Sequence, residues 1–64
     1  MENIEVGQVW VCIETVRMNG SGEAAYIINK LYISEKTNCV TDEMGRKEHG
    51  WTKEFLYKFF KRIK

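Results

Sequence analysis

The stretch Gln8-Val9-Trp10-Val11-Cys12-Ile13-Glu14-Thr15 decides how this chain folds. Val9, Val11 and Ile13 alternate with Gln8, Trp10, Cys12 and Glu14, the period-two pattern of a strand with one covered face. Gly7 punctuates its start, and the Val/Ile side reads as the core side. Trp10 and Cys12 then fall on the second face. Either another segment covers them, or Trp10 is exposed for contact.

Working outward, Asn19-Gly20-Ser21-Gly22 is the strongest breaker, and the backbone is expected to loop or reverse there. A phosphate cradle would need a following helix and a Lys-Ser/Thr pair. Glu23-Ala24-Ala25-Tyr26 follows instead, so a plain connection is expected. Ala25 to Ser34 is rich in strand-favouring Tyr and Ile, with a bend at Asn29-Lys30 and a strand from Lys30 to Ser34. Its parity is open, since Leu31/Ile33 and Tyr32/Ser34 compete for the core side. A short strand from Asn38 to Asp42 is expected next, then a turn at Asp42-Glu43-Met44-Gly45 and a partner strand from Arg46 to Gly50. Thr52 has the character of a helix N-cap, with Glu54 in the favourable first turn. Phe55, Leu56, Phe59, Phe60 and Ile63 can form one helical stripe. They can equally form a short helix followed by a last strand through Phe59–Ile63, and periodicity leaves both readings open.

At 64 residues, the chain has room for a single domain, residues 1–64. Hydrophobic residues are 44% and charged residues 30%, with a formal net charge of +1, a globular rather than disordered composition. No apolar run approaches the roughly 18 residues of a membrane span, and Met1-Glu2-Asn3-Ile4-Glu5 lacks the basic start of a signal peptide. A cytoplasmic location is expected. A chain this short buries only about 60% of its unfolded surface, so its core is thin. The two cysteines, Cys12 and Cys39, are too few for a disulfide-dense secreted domain and sit in apolar surroundings, where free buried thiols are expected.

His49 is the single histidine, and zinc wants four ligands, so no metal and no cofactor is expected. A Cys39–His49 or Cys12–His49 dyad is the one nucleophilic arrangement the composition offers, and a lone His is more often a hydrogen-bonded structural residue. No catalytic residues are therefore assigned. Binding chemistry is better represented. Trp and Tyr give large contact area at low entropic cost, and Trp10, Tyr26 and Trp51 are the expected protein-binding surface, flanked by the Val16–Glu23 loop. Nucleic acid is the alternative partner. Lys53, Lys58, Lys61, Arg62 and Lys64 against Glu54 give residues 51–64 a net +4, while residues 1–50 carry −3. Lys58, Lys61, Arg62 and Lys64 are the expected phosphate contacts in that case.

The order Val6-Gly7-Gln8-Val9-Trp10-Val11-Cys12-Ile13, Asn29-Lys30-Leu31-Tyr32, Val40-Thr41-Asp42-Glu43-Met44-Gly45, His49-Gly50-Trp51 and Phe59-Phe60-Lys61-Arg62-Ile63 resembles the small SH3-like barrel proteins encoded by bacteriophages and prophages. Their pattern is V-G-D-x-V-x-C-I, then G-K-x-Y-x-V, a D-x-x-G hairpin and a terminal aromatic-K-x-aliphatic strand. Gln8 stands for the usual Asp, Asn29 for the Gly and Ser34 for an aliphatic residue. Asn29 is a tolerable exchange, because Asn also visits left-handed backbone conformations. The resemblance implies a mainly β fold: a small, strongly bent five-stranded barrel with one short C-terminal helix or helical turn before the final strand. It also implies a non-enzymatic module in the bacterial host cytoplasm, monomeric or homodimeric, that binds a host or phage protein and inhibits or redirects it. It transfers no functional residue, since fold does not fix function.

Overall fold

A computed structural model describes residues 1–64. The chain is mainly β, with strands β1 (Val9–Cys12), β2 (Val16–Arg17), β3 (Ala24–Tyr26) and β4 (Leu31–Ile33), then a helix α1 (Lys53–Phe59) and a last strand β5 (Phe60–Arg62). The strands make two antiparallel sheets that share no member, one ordered β4-β1-β5 and the other β2-β3. β1 is thus the centre of the larger sheet, with Trp10 opposite Tyr32 on one side and Arg62 on the other.

The glycine-rich loop reverses the chain as expected, and it does so as a hairpin between β2 and β3. Met18 N–H donates to Glu23 C=O at 2.8 Å, and Gly20 and Gly22 adopt φ of +91° and +74°, values that an L side chain resists. The C-terminal ambiguity resolves in favour of a short helix followed by a strand. Thr52 caps α1, its hydroxyl accepting from Phe55 N–H at 3.2 Å. The helix stops where Phe60 goes extended and donates its N–H back to Leu56 C=O.

Two expectations are corrected. The side of β1 carrying Trp10 and Cys12 is the core side; Trp10 is 1% exposed, and Ile13 on the other side is 48% exposed. The large indole has far more apolar area to remove from water than a valine has, so it takes the inner face. β4 follows by pairing, because residues opposite one another in an antiparallel ladder share a face. Tyr32 and Ser34 are buried, while Leu31 and Ile33 are exposed. The second correction concerns the ladder expected from Asn38 to Gly50, which does not form. Only an isolated bridge, Lys36 to Cys39, occurs in that region.

Side chains take over the work of the missing ladder. Asp42 Oδ1 accepts from Met44 N–H at 2.9 Å and Arg46 N–H at 2.8 Å, making the expected turn with Gly45 at φ +82°. Asn38 Oδ1 accepts from Ile4 N–H at 2.9 Å, while Asn38 N–H donates to Ile4 C=O at 2.7 Å. That clamp holds Ile4 in the core beside Trp10, Cys12, Tyr26, Val40, Leu56 and Phe60. Asn29 sits at φ +70°, the left-handed conformation for which Asn is tolerated.

The inverted strand face has a measurable consequence. Replacing a buried aromatic by alanine costs about 3–5 kcal/mol, against a total of roughly 3–10 kcal/mol for a domain of this length. Trp10→Ala is expected to lose most of its folded population in urea unfolding followed by circular dichroism. Leu31→Ala is expected to stay within about 0.5 kcal/mol of the parent. Equal losses in the two would reverse the assignment of faces.

Candidate functional site

The outer face of the β4-β1-β5 sheet follows directly from the register. Val9 lies opposite Ile33, and Val11 lies opposite Leu31 on one flank and Lys61 on the other. Ile63 N–H donates to Val9 C=O at 2.8 Å, placing Ile63 at the end of the same row. The result is an apolar face in which Ile13, Leu31, Ile33 and Ile63 are 48%, 60%, 45% and 52% exposed, with Val9 and Val11 half-buried between them. Single exposed leucines need no explanation, but a contiguous apolar face on a folded domain marks a contact surface. Lys61 is the cation within it.

The expected contact residues lie elsewhere. Trp10 and Tyr26 are both core residues, so they cannot serve as the outer anchors that the sequence suggested. Trp10 is covered by Tyr57 of α1, edge to face at 5.3 Å. Tyr26 is enclosed by Tyr32, Phe60 and Trp51 at centroid distances of 5.0, 4.7 and 5.3 Å, and its hydroxyl donates to Val40 C=O. Burial is the main reason its phenol is pushed far above the ordinary value, with Asp42 adding to it. Trp51 alone of the three reaches the surface. It lines a groove of about 360 Å³ with Val16, Arg17, Met18, Asn19 and Phe55. The loop that the sequence placed beside the contact surface does flank Trp51.

His49 belongs to this aromatic stack rather than to a thiol. Its ring lies parallel to Trp51 at 4.2 Å, with Nε2 at 3.1 Å from Asp42 Oδ2. That approach lacks hydrogen-bond alignment. Asp42 Oδ2 also faces Arg46 Nε at 3.3 Å, so the buried carboxylate is flanked by two nitrogen-bearing side chains. Cys12 donates its Sγ–H to Glu14 C=O at 2.9 Å, and burial raises its pKa, the reverse of what an activated nucleophile needs. No group of three or more His, Cys, Asp or Glu side chains converges as a metal cluster would.

Lys58, Lys61, Arg62 and Lys64 form no ion pair, whereas Lys30, Lys36, Arg46 and Lys47 each face a carboxylate. Strand alternation divides the C-terminal run. Lys61 sits opposite Val11 on the outer face, and Arg62 sits opposite Trp10 on the inner one. Lys58 lies 5.9 Å from the centre of the Phe59 ring.

One polar cluster escaped sequence reasoning because its members are far apart in the chain. Glu43 accepts from Lys30 Nζ at 3.0 Å and from the Tyr32 hydroxyl at 2.6 Å, and that hydroxyl in turn accepts from Ile27 N–H at 2.7 Å. Burial and the bond to Glu43 push the Tyr32 phenol up to about 12. The bonds from Lys30 and Tyr32 hold the Glu43 carboxyl below its ordinary value. Comparison with family models, with curated proteins and with solved structures finds no match to this chain.

A carboxyl whose pKa is lower in the folded than in the unfolded chain adds stability above the unfolded value, and that stability disappears as pH falls through the folded value. Glu43→Gln is therefore expected to flatten the acid side of the stability profile, measured as urea midpoints between about pH 2 and 7. An unchanged acid slope would show that the Lys30–Glu43–Tyr32 cluster adds nothing.

Proposed function

We propose that this protein is a small non-enzymatic binding module that docks a protein partner on the outer face of its larger sheet. The observation that carries this reading is the row Val9, Val11, Ile13, Leu31, Ile33 and Ile63, apolar and open on a chain with little core to spare. The partner that fits presents an apolar patch with an acidic neighbour for Lys61, which has no carboxylate of its own. Trp51 and its groove beside β2 extend the contact area as an aromatic anchor of the kind that dominates interfaces.

The finer architectural reading is an SH3-like barrel of the phage-encoded type, with the partner a host or phage protein whose action is inhibited or redirected. Support comes from a short helix directly before the final strand, from that strand returning to pair with the first, and from Asn29 adopting the conformation of the family's Gly. The second reading, nucleic-acid binding through Lys58, Lys61, Arg62 and Lys64, draws on the absence of ion pairs at all four. The division of Lys61 and Arg62 between opposite faces weakens it.

Affinity capture from bacterial lysate, with and without nuclease, separates the readings. On the protein reading, the captured partner survives nuclease, and Leu31→Glu/Ile33→Glu loses at least about 2 kcal/mol of binding with its circular dichroism intact. On the nucleic-acid reading, capture vanishes with nuclease. Affinity then falls steeply between low and physiological salt, and the face variant binds as well as the parent. That second pattern would overturn the proposal.

A further inference from the structure

Two segments line the groove at Trp51: Val16, Arg17, Met18 and Asn19 from β2 and the loop after it, and Trp51 and Phe55 from the entry into α1. A series of side-chain contacts joins these two walls, and it runs through a single buried atom. Asp42 Oδ1 is taken by the N–H groups of Met44 and Arg46. Asp42 Oδ2 is fully buried and has no aligned donor. Two side chains converge on it, His49 Nε2 at 3.1 Å and Arg46 Nε at 3.3 Å. Each of them holds one wall. The His49 ring lies flat on Trp51 at 4.2 Å, and Arg46 Nη2 donates to Met18 Sδ at 3.1 Å. The series Trp51–His49–Asp42–Arg46–Met18 therefore begins and ends in the groove. A buried carboxylate oxygen without a full hydrogen bond is rare enough in a folded chain to call for a role.

Of the side-chain types in this series, imidazole is the one whose charge changes near neutral pH. Nε2 faces an oxygen that only accepts, so Nε2 carries a hydrogen in both states and Nδ1 takes up the proton. The Nε2–H is not lined up on Oδ2, so the neutral ring holds the carboxylate weakly. The Coulomb attraction of an imidazolium depends on distance rather than alignment. A charged ring is also attracted to the indole face it lies on. The same charge opposes the Arg46 guanidinium, which competes for the same oxygen. The other charged neighbours are turned elsewhere: Lys47 to Glu35, Glu48 to Lys36, and Arg17 to Gly22 C=O. The Tyr26 phenol, whose ring centre lies 6.1 Å from that of the imidazole, is kept neutral by burial. We propose that His49 is a proton-operated strut of the groove: proton uptake shifts the hold on Asp42 from Arg46 to His49, fastening Trp51 and freeing Met18. Loss of the proton does the reverse, so the shape of the groove, and with it any contact made there, follows pH. None of these residues belongs to the outer apolar face, so the inference holds whether or not that face docks a partner.

Nuclear magnetic resonance of the intact protein between about pH 5 and 8 tests this. The His49 Cε1 proton gives the titration midpoint, while the Trp51 indole N–H and the Met18 ε-methyl report on the two walls. Both are expected to move with the His49 midpoint, and the buried Trp10 indole N–H to stay still. Relaxation is expected to show Trp51 more rigid, and the Met18 methyl more mobile, below the midpoint than above it. His49→Phe keeps a flat ring on Trp51 without the charge, and both transitions are expected to vanish. Arg46→Gln replaces a half-exposed side chain and leaves the main-chain N–H for Asp42. It is expected to remove the Met18 transition and keep that of Trp51. The proposal is overturned by walls that do not follow His49, by walls that stiffen or loosen together, or by transitions that persist in His49→Phe. A Met18 transition that survives in Arg46→Gln overturns it as well. If His49→Phe fails to fold, the parent and Arg46→Gln titrations decide alone.

Discussion

The edge-to-face packing of Trp10 on Tyr57 is the contact around which the rest of the molecule is arranged. It puts the largest side chain of the central strand on the inner face, and α1 is the element that covers it. The Tyr57 hydroxyl donates to Glu2 C=O at 3.0 Å, and Lys53 Nζ reaches Asn3 Oδ1 at 2.9 Å, so the same helix ties down the N-terminal segment. That segment carries Ile4 into the core, where Asn38 clamps it. Once Trp10 points inward, the period of two along β1 leaves Val9 and Val11 outward, and pairing carries the same choice to β4 and β5. An open apolar face is thus the geometric consequence of burying one indole in a chain too short to build a second layer over it.

Much of this architecture was legible in the residues. The β1 alternation, the glycine-rich reversal, the Asp42–Gly45 turn and the Thr52 cap are local features with local chemistry, and they occur where their residue types point. The choice of face was not legible, because both sides of β1 are apolar and only a distant element, Tyr57 of α1, decides between them. The region from Asn38 to Gly50 misled for a different reason. Its composition suits a hairpin, but Asp42 and Asn38 bond main-chain groups through their side chains and so compete with a ladder.

The candidate site divides along the same line. Trp51 was rightly expected to reach the surface beside the glycine-rich loop, although only the fold brings those distant segments together. Trp10 and Tyr26 were not, because aromatic residues that anchor an interface and those that fill a thin core have the same composition. The Lys30–Glu43–Tyr32 cluster joins residues distant in the chain, so only the fold reveals it. Charge behaves similarly. Residues 51–64 are basic as a block, but a strand divides its side chains between two faces, and the block does not become a stripe.

Methyl relaxation by a soluble nitroxide, measured on the free protein, tests the central claim most directly. The methyl groups of Ile13, Leu31, Ile33 and Ile63 are predicted to broaden strongly, while those of Ile4, Val40 and Leu56 remain sharp. Protection of Leu31 and Ile33 together with broadening of Leu56 would contradict the account, because the indole-centred core could not then lie on the inner side of β1.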